Sequence, residues 1–449
     1  MEKKRFPIFF SIVIVITGFF GCMPSQYTYT VWEPVYMSWS EFRSPSTIEI
    51  TSNREINNPG KIYVYGDLLF INERNEGIHV IDNSDPSSPR NISFISVIGS
   101  IDISVLDIGT TTYLYTDSYV DLLIFEINPD PANFTAQLSN RIEEAFPYDP
   151  YQSFIDDDVP PWFSHYDQSD GIIVNYIEQR KSEWYWDSPV QYDVAAETNG
   201  TAGTGGSMAR FLLYQDVSTS AWFLYVVNAT DLIVLDLVDP GSPARQARVD
   251  IGWGIETIYE YQDHLFIGSE SAMYIYCLLN PKDPNQVSEL VHWRSRDPVV
   301  AGPVGPEDKD TAFVTLRSEN GWGTDQLLAV DVGNVEVPQQ LLEISLFNPH
   351  GLALFDFQGA DRLIIAEGDA GLKVFDVTNV HDDTLTSGER LNQLLTLDND
   401  INTYDIIALG TRMLVIGENG FYQYQYSEST ESGGIVPQLT LLSSIQVSE

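Results

Sequence analysis

The chain has little cysteine, histidine and positive charge, and these shortages exclude several classes of fold and function. Its 449 residues include 2 cysteines and 6 histidines, and 23 Lys and Arg stand against 64 Asp and Glu. A formal net charge of −41 repels nucleic-acid phosphates and anionic lipid surfaces. We therefore expect no nucleic-acid partner and no attachment to a membrane through the protein body. With so few cysteines, the fold depends on its hydrophobic core.

Sequence motifs for catalysis and metal binding are also lacking. The chain has no H-x-H or H-E-x-x-H zinc motif, no G-x-S-x-G nucleophile motif, no P-loop and no dinucleotide fingerprint. Residues 398–402 begin like a calcium loop, D-x-D-x-N, but lack the Gly and the closing Glu of such a loop. We predict no catalytic residue, no metal site and no cofactor, with calcium left open as an alternative.

The N-terminus carries an export signal. A basic run at residues 3–5 precedes an apolar stretch at residues 6–20, which is short for a membrane-spanning helix. Gly21 and Cys22 then resemble the lipobox of bacterial lipoproteins, although the two preceding phenylalanines are bulkier than usual. The resemblance implies a signal peptide at residues 1–21 and acylation of the Cys22 sulfur. An ordinary signal peptide with an incidental cysteine is the alternative.

The rest of the chain repeats one pattern of strands. Residues 61–89, KIYVYGDLLFINERNEGIHVIDNSDPSSP, contain three short apolar strands separated by turns, and similar copies follow. Five of the six intervals between copies run from 41 to 54 residues, the length of a four-stranded propeller blade. The third strands of the copies end at equivalent positions, which are Asp82, Glu126, Asp236, Cys277, Asp331, Asp376 and Gln425. The pattern predicts an all-β fold, a β-propeller of seven four-stranded blades, with a linear solenoid as the alternative.

The longest interval holds a β-rich insertion. We place the propeller at residues 46–449, the insertion at residues 132–206 and an anchor linker at residues 22–45. Strands near residues 48–50 and 439–447 are predicted to pair and close the ring, because closure removes exposed sheet edges.

Two further predictions concern local structure. The aspartates that end the third strands are expected to cap the following turns by accepting backbone N–H bonds. Cys277 occupies the same position and is expected to be a buried small residue. Within the insertion, residues 171–187 are predicted to form a hairpin.

The repeats resemble the LVIVD-repeat family of bacterial propeller proteins, in which an L-x-V-x-D strand precedes an Asp/Asn-Pro-x-x-Pro loop. The matching segments here are IHVIDNSDPSSP, LIVLDLVDPGSP and LKVFDVTN. Shorter segments, such as GTGGSMARF, GWGIETIYEY, NPHGL and IGENGFYQY, resemble a lipid-anchored branch found in outer-membrane bacteria. The resemblance implies a propeller fold and a lipid-anchored position on the outer membrane, at its periplasmic or cell-surface face. It implies no particular reaction.

Links that lead from the outer strand of one blade into the first strand of the next carry polar and charged groups. All such links in a propeller fall on one face, so we expect these groups to surround one mouth of the central channel. If the charges only pair with one another, they form a structural plug instead. The predicted ligand-binding residues are Arg210, Trp253, Glu256, Arg296, Asp297, His350 and Asp405.

These observations favour an envelope binding or scaffold module over an enzyme. We expect a protein, peptide or glycan partner at the link face and the insertion, with membrane contact through the lipid anchor only. The alternative is a propeller hydrolase or lyase, with or without calcium, that uses the mouth carboxylates and His350. Carboxylates converging within reach of a metal would favour the enzyme, whereas salt-paired side chains would favour the binding module.

Overall fold

Seven antiparallel sheets, each made of consecutive strands, account for most of the chain. Each sheet contributes four strands to one blade, which confirms the predicted all-β propeller of seven four-stranded blades. This computed structural model describes residues 26–148, 167–184, 208, 210–291, 299–301, 310–318, 324–398, 401–431 and 434–447.

The strands follow one another in blade order. Two strands precede the blades, β1 Gln26–Met37 and β2 Glu49–Thr51. Blade 1 contains β3 Pro59–Tyr65, β4 Leu68–Glu73, β5 Gly77–Asp82 and β6 Arg90–Ser96. Blade 2 contains β7 Ile103–Asp107, β8 Thr112–Ser118, β9 Asp121–Asn128 and β10 Thr135–Ile142, and is followed by β11 Ile172–Trp184. Blade 3 contains β12 Phe211–Gln215, β13 Trp222–Val227, β14 Asp231–Asp236 and β15 Ala244–Asp250.

Four blades complete the ring. Blade 4 contains β16 Ile255–Tyr261, β17 His264–Ser269, β18 Ala272–Cys277 and β19 Asn285–Val291. Blade 5 contains β20 Val299–Ala301, β21 Thr311–Leu316, β22 Gln326–Asp331 and β23 Gln339–Ser345. Blade 6 contains β24 Leu352–Phe357, β25 Ala360–Ala366, β26 Leu372–Asp376 and β27 Asn392–Leu397. Blade 7 contains β28 Thr403–Leu409, β29 Arg412–Gly417, β30 Gly420–Glu431 and β31 Gly434–Gln446.

Helical structure among the described residues is confined to single turns. The α-helical turns are α1 Trp39–Phe42 and α2 Ser387–Arg390, and 3₁₀ turns lie at Pro45–Thr47 and Gln168–Asp170. Within the described ranges, no helix has the length and apolar character needed to span a membrane.

The hydrophobic core lies between the blades. Each of seven buried clusters joins two neighbouring blades, and the last joins blade 7 to blade 1. Second and third strands are covered on both sides, so β4, β5 and β14 are buried along their whole length. Fourth strands face solvent and carry few buried residues, as in β15. First strands of successive blades lie side by side from β3 to β28, and β29 contacts β3.

The ring closes by side-chain packing, so the predicted pairing of the two terminal strands is wrong. Strand β2 adds a fifth strand to the outer edge of blade 1, and β31 pairs with β30 of its own blade. Every blade is built from its own four consecutive strands, and no strand within the described ranges bridges the junction. Side chains from blades 1 and 7, including Ile62 and Ile416, form a common buried cluster there.

The predicted caps of the turns after the third strands are confirmed. In each of four aspartates, one carboxylate oxygen accepts the backbone N–H of the residue two positions later, at 2.9 to 3.1 Å. These aspartates are Asp82, Asp236, Asp331 and Asp376. Cys277 ends the equivalent strand of blade 4 and is buried with a free thiol, as expected.

A two-stranded ribbon outside the blades joins the N-terminal segment to the insertion. Strands β1 and β11 pair antiparallel from Met37↔Ile172 to Gln26↔Trp184. Residues 172–184 are therefore one long strand, and the hairpin predicted there is wrong. The structure also differs from the expected boundaries, because β1 lies within the segment assigned as a linker. Strand β10, within the segment assigned to the insertion, is the fourth strand of blade 2.

Candidate functional site

The links between blades and the turns between second and third strands lie on one face of the propeller. Antiparallel strands within each blade bring the end of the fourth strand, the start of the next first strand and this turn to the same side. Backbone hydrogen bonds join these turns to the links. Asn75 N donates to Ser100 O at 3.1 Å, and Glu270 N donates to Gly254 O at 2.9 Å. We call this side the mouth face. The loops between third and fourth strands, here called the outer loops, lie on the opposite face.

Five of the predicted binding residues lie in links or at the start of first strands on the mouth face. They are Arg210, Trp253, Glu256, His350 and Asp405. Arg296 and Asp297, and the predicted lipidation site Cys22, lie outside the described residues.

Two first strands are irregular where they reach the mouth face. The pairing of first strands with second strands shifts register between Ile255 and Thr257 in blade 4, and between Thr403 and Asp405 in blade 7. A bulge interrupts the alternation of side chains and re-aims the extra residue. Glu256 is the extra residue at the blade 4 irregularity, and its side chain is buried.

A buried ion pair joins blades 1 and 2 near the channel. Lys61 Nζ lies 3.3 Å from Asp102 Oδ2, and both side chains are almost fully buried. The same Asp102 oxygen accepts the backbone N–H groups of Arg210 and Phe211, at 3.1 and 3.2 Å. Asp102 therefore also binds the backbone at the start of blade 3. Burial lowers the pKa of Lys61 to about 7 and raises the pKa of Asp102 to about 6.

Asp117 completes this cluster from the end of β8. Its Oδ1 accepts the backbone N–H groups of Ile101 and Asp102 at 2.8 and 2.9 Å, and burial raises its pKa. Sequence reasoning missed Lys61 and Asp117 as site residues. Lys61 had a detectable signal, since it directly follows the Asn58-Pro59-Gly60 link. Asp117 lies inside an apolar strand pattern, and nothing local marks it.

A second cluster surrounds His350, in the link into blade 6. The backbone of the link is fixed by His350 N, which donates to Ala366 O at 2.8 Å, and by Gly351 N, which donates to Tyr404 O at 2.9 Å. A side chain at Gly351 does not fit, because its Cβ would lie 2.2 Å from Asp405 Oδ1. The His350 ring packs against Tyr404, with ring centroids 5.6 Å apart.

Two arginines contact this cluster. Arg317 Nη1 lies 2.8 Å from His350 Nδ1 and 3.0 Å from Nε2, and the Arg74 guanidinium lies over the Tyr404 ring, 5.5 Å from its centroid. Burial and then the charges of Arg317 and Arg74 hold the pKa of His350 well below its usual value, so the imidazole is neutral. Sequence reasoning missed both arginines because they lie in turns after second strands, outside the links.

Exposed aromatic side chains lie in links on the same face as these polar clusters. Trp253, in the link into blade 4, is 45% exposed, and Phe347, in the link into blade 6, is 64% exposed. Large exposed aromatics beside fixed polar groups are typical of surfaces that bind a partner.

The base of the β1–β11 ribbon also docks on the mouth face. Phe42 is fully buried against Tyr119 and Val120, which form the turn between the second and third strands of blade 2. Arg43 donates two hydrogen bonds of 3.1 Å to the buried carboxylate of Asp121 at the start of β9. The ribbon and the mouth clusters therefore share one side of the molecule.

Within the part of the chain that the structure describes, no three His, Cys, Asp or Glu side chains are grouped so as to hold a metal ion.

Comparison with known families agrees with the blade pattern. The model of the LVIVD repeat matches residues 59–94 and 214–251, which correspond closely to blades 1 and 3. The chain carries LVIVD repeats. The expected resemblance to LVIVD repeats is therefore confirmed at these two sites, where each match corresponds to about one blade, and the lipoprotein part of the resemblance stays a prediction. No curated protein matches the chain.

Among the solved structures that resemble this chain, two share its overall propeller architecture. A protein from Lactobacillus plantarum aligns with a TM-score of 0.51 and 11% identity over 89% of this chain and 96% of its own. The periplasmic gluconolactonase of Pseudomonas aeruginosa aligns with a TM-score of 0.51 and 12% identity over 89% of this chain and 97% of its own. At such identities the likeness establishes the propeller fold and nothing about activity.

Proposed function

We propose that the protein is a lipid-anchored module of the bacterial cell envelope that binds a protein, peptide or glycan at its mouth face. The proposal includes no reaction and no resident cofactor. The observation that carries it is the combination of buried, mutually paired polar groups with exposed aromatic side chains on that one face.

The pairing of charges supports a binding surface over a hydrolytic site. The Asp102 carboxylate is already engaged by the Lys61 ammonium and by two backbone N–H groups. A carboxylate held in this way fixes the geometry of the mouth, whereas a general acid or base needs a lone pair or proton directed at the substrate. Preformed polar groups reduce the entropy lost on binding.

The position of the ribbon, between Cys22 and blade 2, supports the proposed lipid anchor. Cys22 precedes β1 by four residues, and the base of the ribbon docks on blade 2. The 12 residues of β1 span about 40 Å as an extended strand. We propose that the ribbon separates the propeller from an outer-membrane anchor, on the periplasmic or cell-surface side, and turns the mouth face toward that membrane.

Metabolic labelling with a clickable fatty acid tests the anchor. The wild type should be labelled and should fractionate with membranes, whereas Cys22→Ser should be unlabelled and soluble, because the acidic body has no affinity for anionic lipid. Equal labelling of both proteins would overturn the anchor.

Affinity capture from solubilised native membranes tests the binding face. Trp253→Ala should weaken retention of the captured partner by about thirtyfold, as for a central aromatic contact. Leu279→Ala is the matched control, because Leu279 is 90% exposed in the outer loop of the same blade. Equal retention by both variants would contradict binding at the mouth face.

A further inference from the structure

Glu126 does not take the capping role of the aspartates at its position in the repeat. In blade 2 the turn after the third strand is capped by Asn128, whose Oδ1 accepts the backbone N–H of Asp130 at 3.2 Å. Strand β9 therefore continues for two residues beyond Glu126, which pairs in register with Gln137 on β10. Both side chains are exposed, and neither makes a hydrogen bond to another residue in the described part of the chain.

A cleft of about 730 Å³ contains this pair, at the outer-loop end of blade 2. It is lined by the turn between β7 and β8, by the start of the outer loop and by the adjoining parts of β9 and β10. Local hydrogen bonds fix this lining. Gly109 N donates to Asp107 Oδ1 at 2.6 Å, and Asn128 Nδ2 donates to Asn133 O at 2.9 Å. The cleft has the size of a small-molecule site and is largely preformed, which reduces the entropy lost on binding.

The polar groups in the cleft suit a ligand with several hydroxyls. The Glu126 carboxylate accepts hydrogen bonds, whereas the Gln137 amide and the hydroxyls of Thr111 and Thr135 both donate and accept them. A sugar hydroxyl also donates and accepts, so neighbouring hydroxyls of one sugar can bond to the carboxylate and the amide together. Pro129 adds apolar surface for the C–H groups of such a ring.

The charge of the cleft disfavours ionic ligands. Among the described residues that line it, none is Lys, Arg or His, and the carboxylates of Asp107 and Glu126 repel anions. Asp107 is already engaged, because its Oδ1 accepts Gly109 N and its Oδ2 accepts the Tyr65 hydroxyl at 2.9 Å. Glu126 is then the one carboxylate of the lining left to face a ligand, which is too little charge to neutralise a divalent cation. A neutral ligand rich in hydroxyls fits these groups best.

We propose that the blade 2 cleft is a second binding site, which takes a neutral saccharide. The cleft lies on the face opposite the mouth, and the inference does not rest on the proposed function. In this arrangement Glu126 accepts hydrogen bonds from sugar hydroxyls, and Gln137 and the threonine hydroxyls bond to their neighbours on the sugar.

Saturation-transfer NMR on the purified protein tests the site. Cellobiose and N,N′-diacetylchitobiose are the neutral probes, and their charged counterparts, cellobiouronic acid and chitobiose, are the matched controls. We expect saturable transfer to at least one neutral disaccharide, and its charged counterpart should bind at least tenfold more weakly if anionic and no more tightly if cationic.

Matched variants locate the site. Glu126→Ala and Gln137→Ala each remove a directed contact and should weaken binding of the neutral disaccharide by about tenfold. Glu126→Gln keeps the size of the side chain and should give a smaller loss. Glu343→Gln removes the same charge from an exposed position on β23 and should leave the affinity unchanged. Circular dichroism checks that each variant is folded.

Three results would overturn the site. They are the lack of saturable binding of either neutral disaccharide, tighter binding of a charged counterpart, and equal affinities of Glu126→Gln and Glu343→Gln. Trp253→Ala separates the cleft from the mouth face. It should leave saccharide binding unchanged whether or not it weakens membrane capture, and loss of saccharide binding in this variant would place the sugar at the mouth.

Discussion

The pair of Lys61 and Asp102 places two opposite charges where water is excluded. Removing charges from water is costly, and the attraction between them offsets that cost only when both are well bonded. Asp102 meets this condition, since it also accepts two N–H bonds from the link into blade 3. The pair therefore specifies the relative positions of three blades more than it stabilises the fold.

Single and double substitutions of this pair test its role. Lys61→Met leaves Asp102 buried without its cation, and Asp102→Asn leaves Lys61 without its anion, so each should lower the free energy of unfolding by about 3 kcal/mol or more. The double variant Lys61→Met/Asp102→Asn should recover most of the loss, because the two opposite charges are removed together and Asp117 keeps its two backbone N–H bonds. Urea denaturation of the four proteins measures this. Additive losses in the double variant would show that the two groups do not act as a pair.

The free energy of unfolding should also depend on pH through the shifted pKa values of Lys61 and Asp102. Burial raises the pKa of Asp102 from 3.8 to about 6, so its contribution to stability is lost as pH rises through that window. Burial lowers the pKa of Lys61 from 10.5 to about 7, so its contribution is lost as pH falls from 10.5 toward 7. The stability of the wild type relative to the double variant should be lowest between pH 6 and 7. A pH-independent difference would contradict these shifts.

At the scale of single elements, the blade strands were predictable because their signals are local. Strand alternation, turn residues and the aspartates that end four of the third strands are all signals spread over only a few residues. The cap at Asp236, for example, needs only the backbone N–H of Val238. The ribbon was not predictable in this way, because β1 pairs with a strand more than a hundred residues later in the chain. Neither strand carries a local sequence signal that identifies the other.

Docking of the ribbon depends on a small buried cluster around Phe42. Phe42→Ala should leave a cavity worth about 3 kcal/mol or more and release the ribbon base from blade 2 while the blade cores stay intact. Limited proteolysis should then cut within residues 26–48 faster, with little change in the thermal midpoint of the propeller. Ile177→Ala, at a 54% exposed position of β11, is the control. Unchanged proteolysis of Phe42→Ala would contradict docking through this cluster.

At the scale of the whole molecule, the number and order of blades followed from the repeat, but the mode of closure did not. Repeat spacing counts the blades without showing whether a strand is shared at the junction. Topology predicted the face on which the five described mouth residues lie, since links of one kind fall on one face. The side chains that contact the mouth residues could not be predicted. Lys61, Asp117 and Arg317 reach those residues only because blades that are distant in sequence pack together.

Closure by packing predicts unequal costs for two isoleucines. Ile416→Ala removes a fully buried side chain from the junction of blades 7 and 1 and should cost about 2–5 kcal/mol. Ile50→Ala, on the fifth strand of blade 1, should cost much less, because that side chain is 41% exposed. Urea denaturation compares the two. A larger loss from Ile50→Ala would restore the N-terminal strand as the element that closes the ring.

The central claim is that the mouth face of an anchored propeller binds the partner. Hydrogen–deuterium exchange of the protein with and without the partner captured from membranes tests it most directly. We predict slower exchange, on binding, in the links at residues 97–102, 252–254 and 346–351, with no change in the outer loops at residues 83–89, 237–243 and 278–284. Slower exchange confined to those outer loops would place the partner on the opposite face and contradict the account.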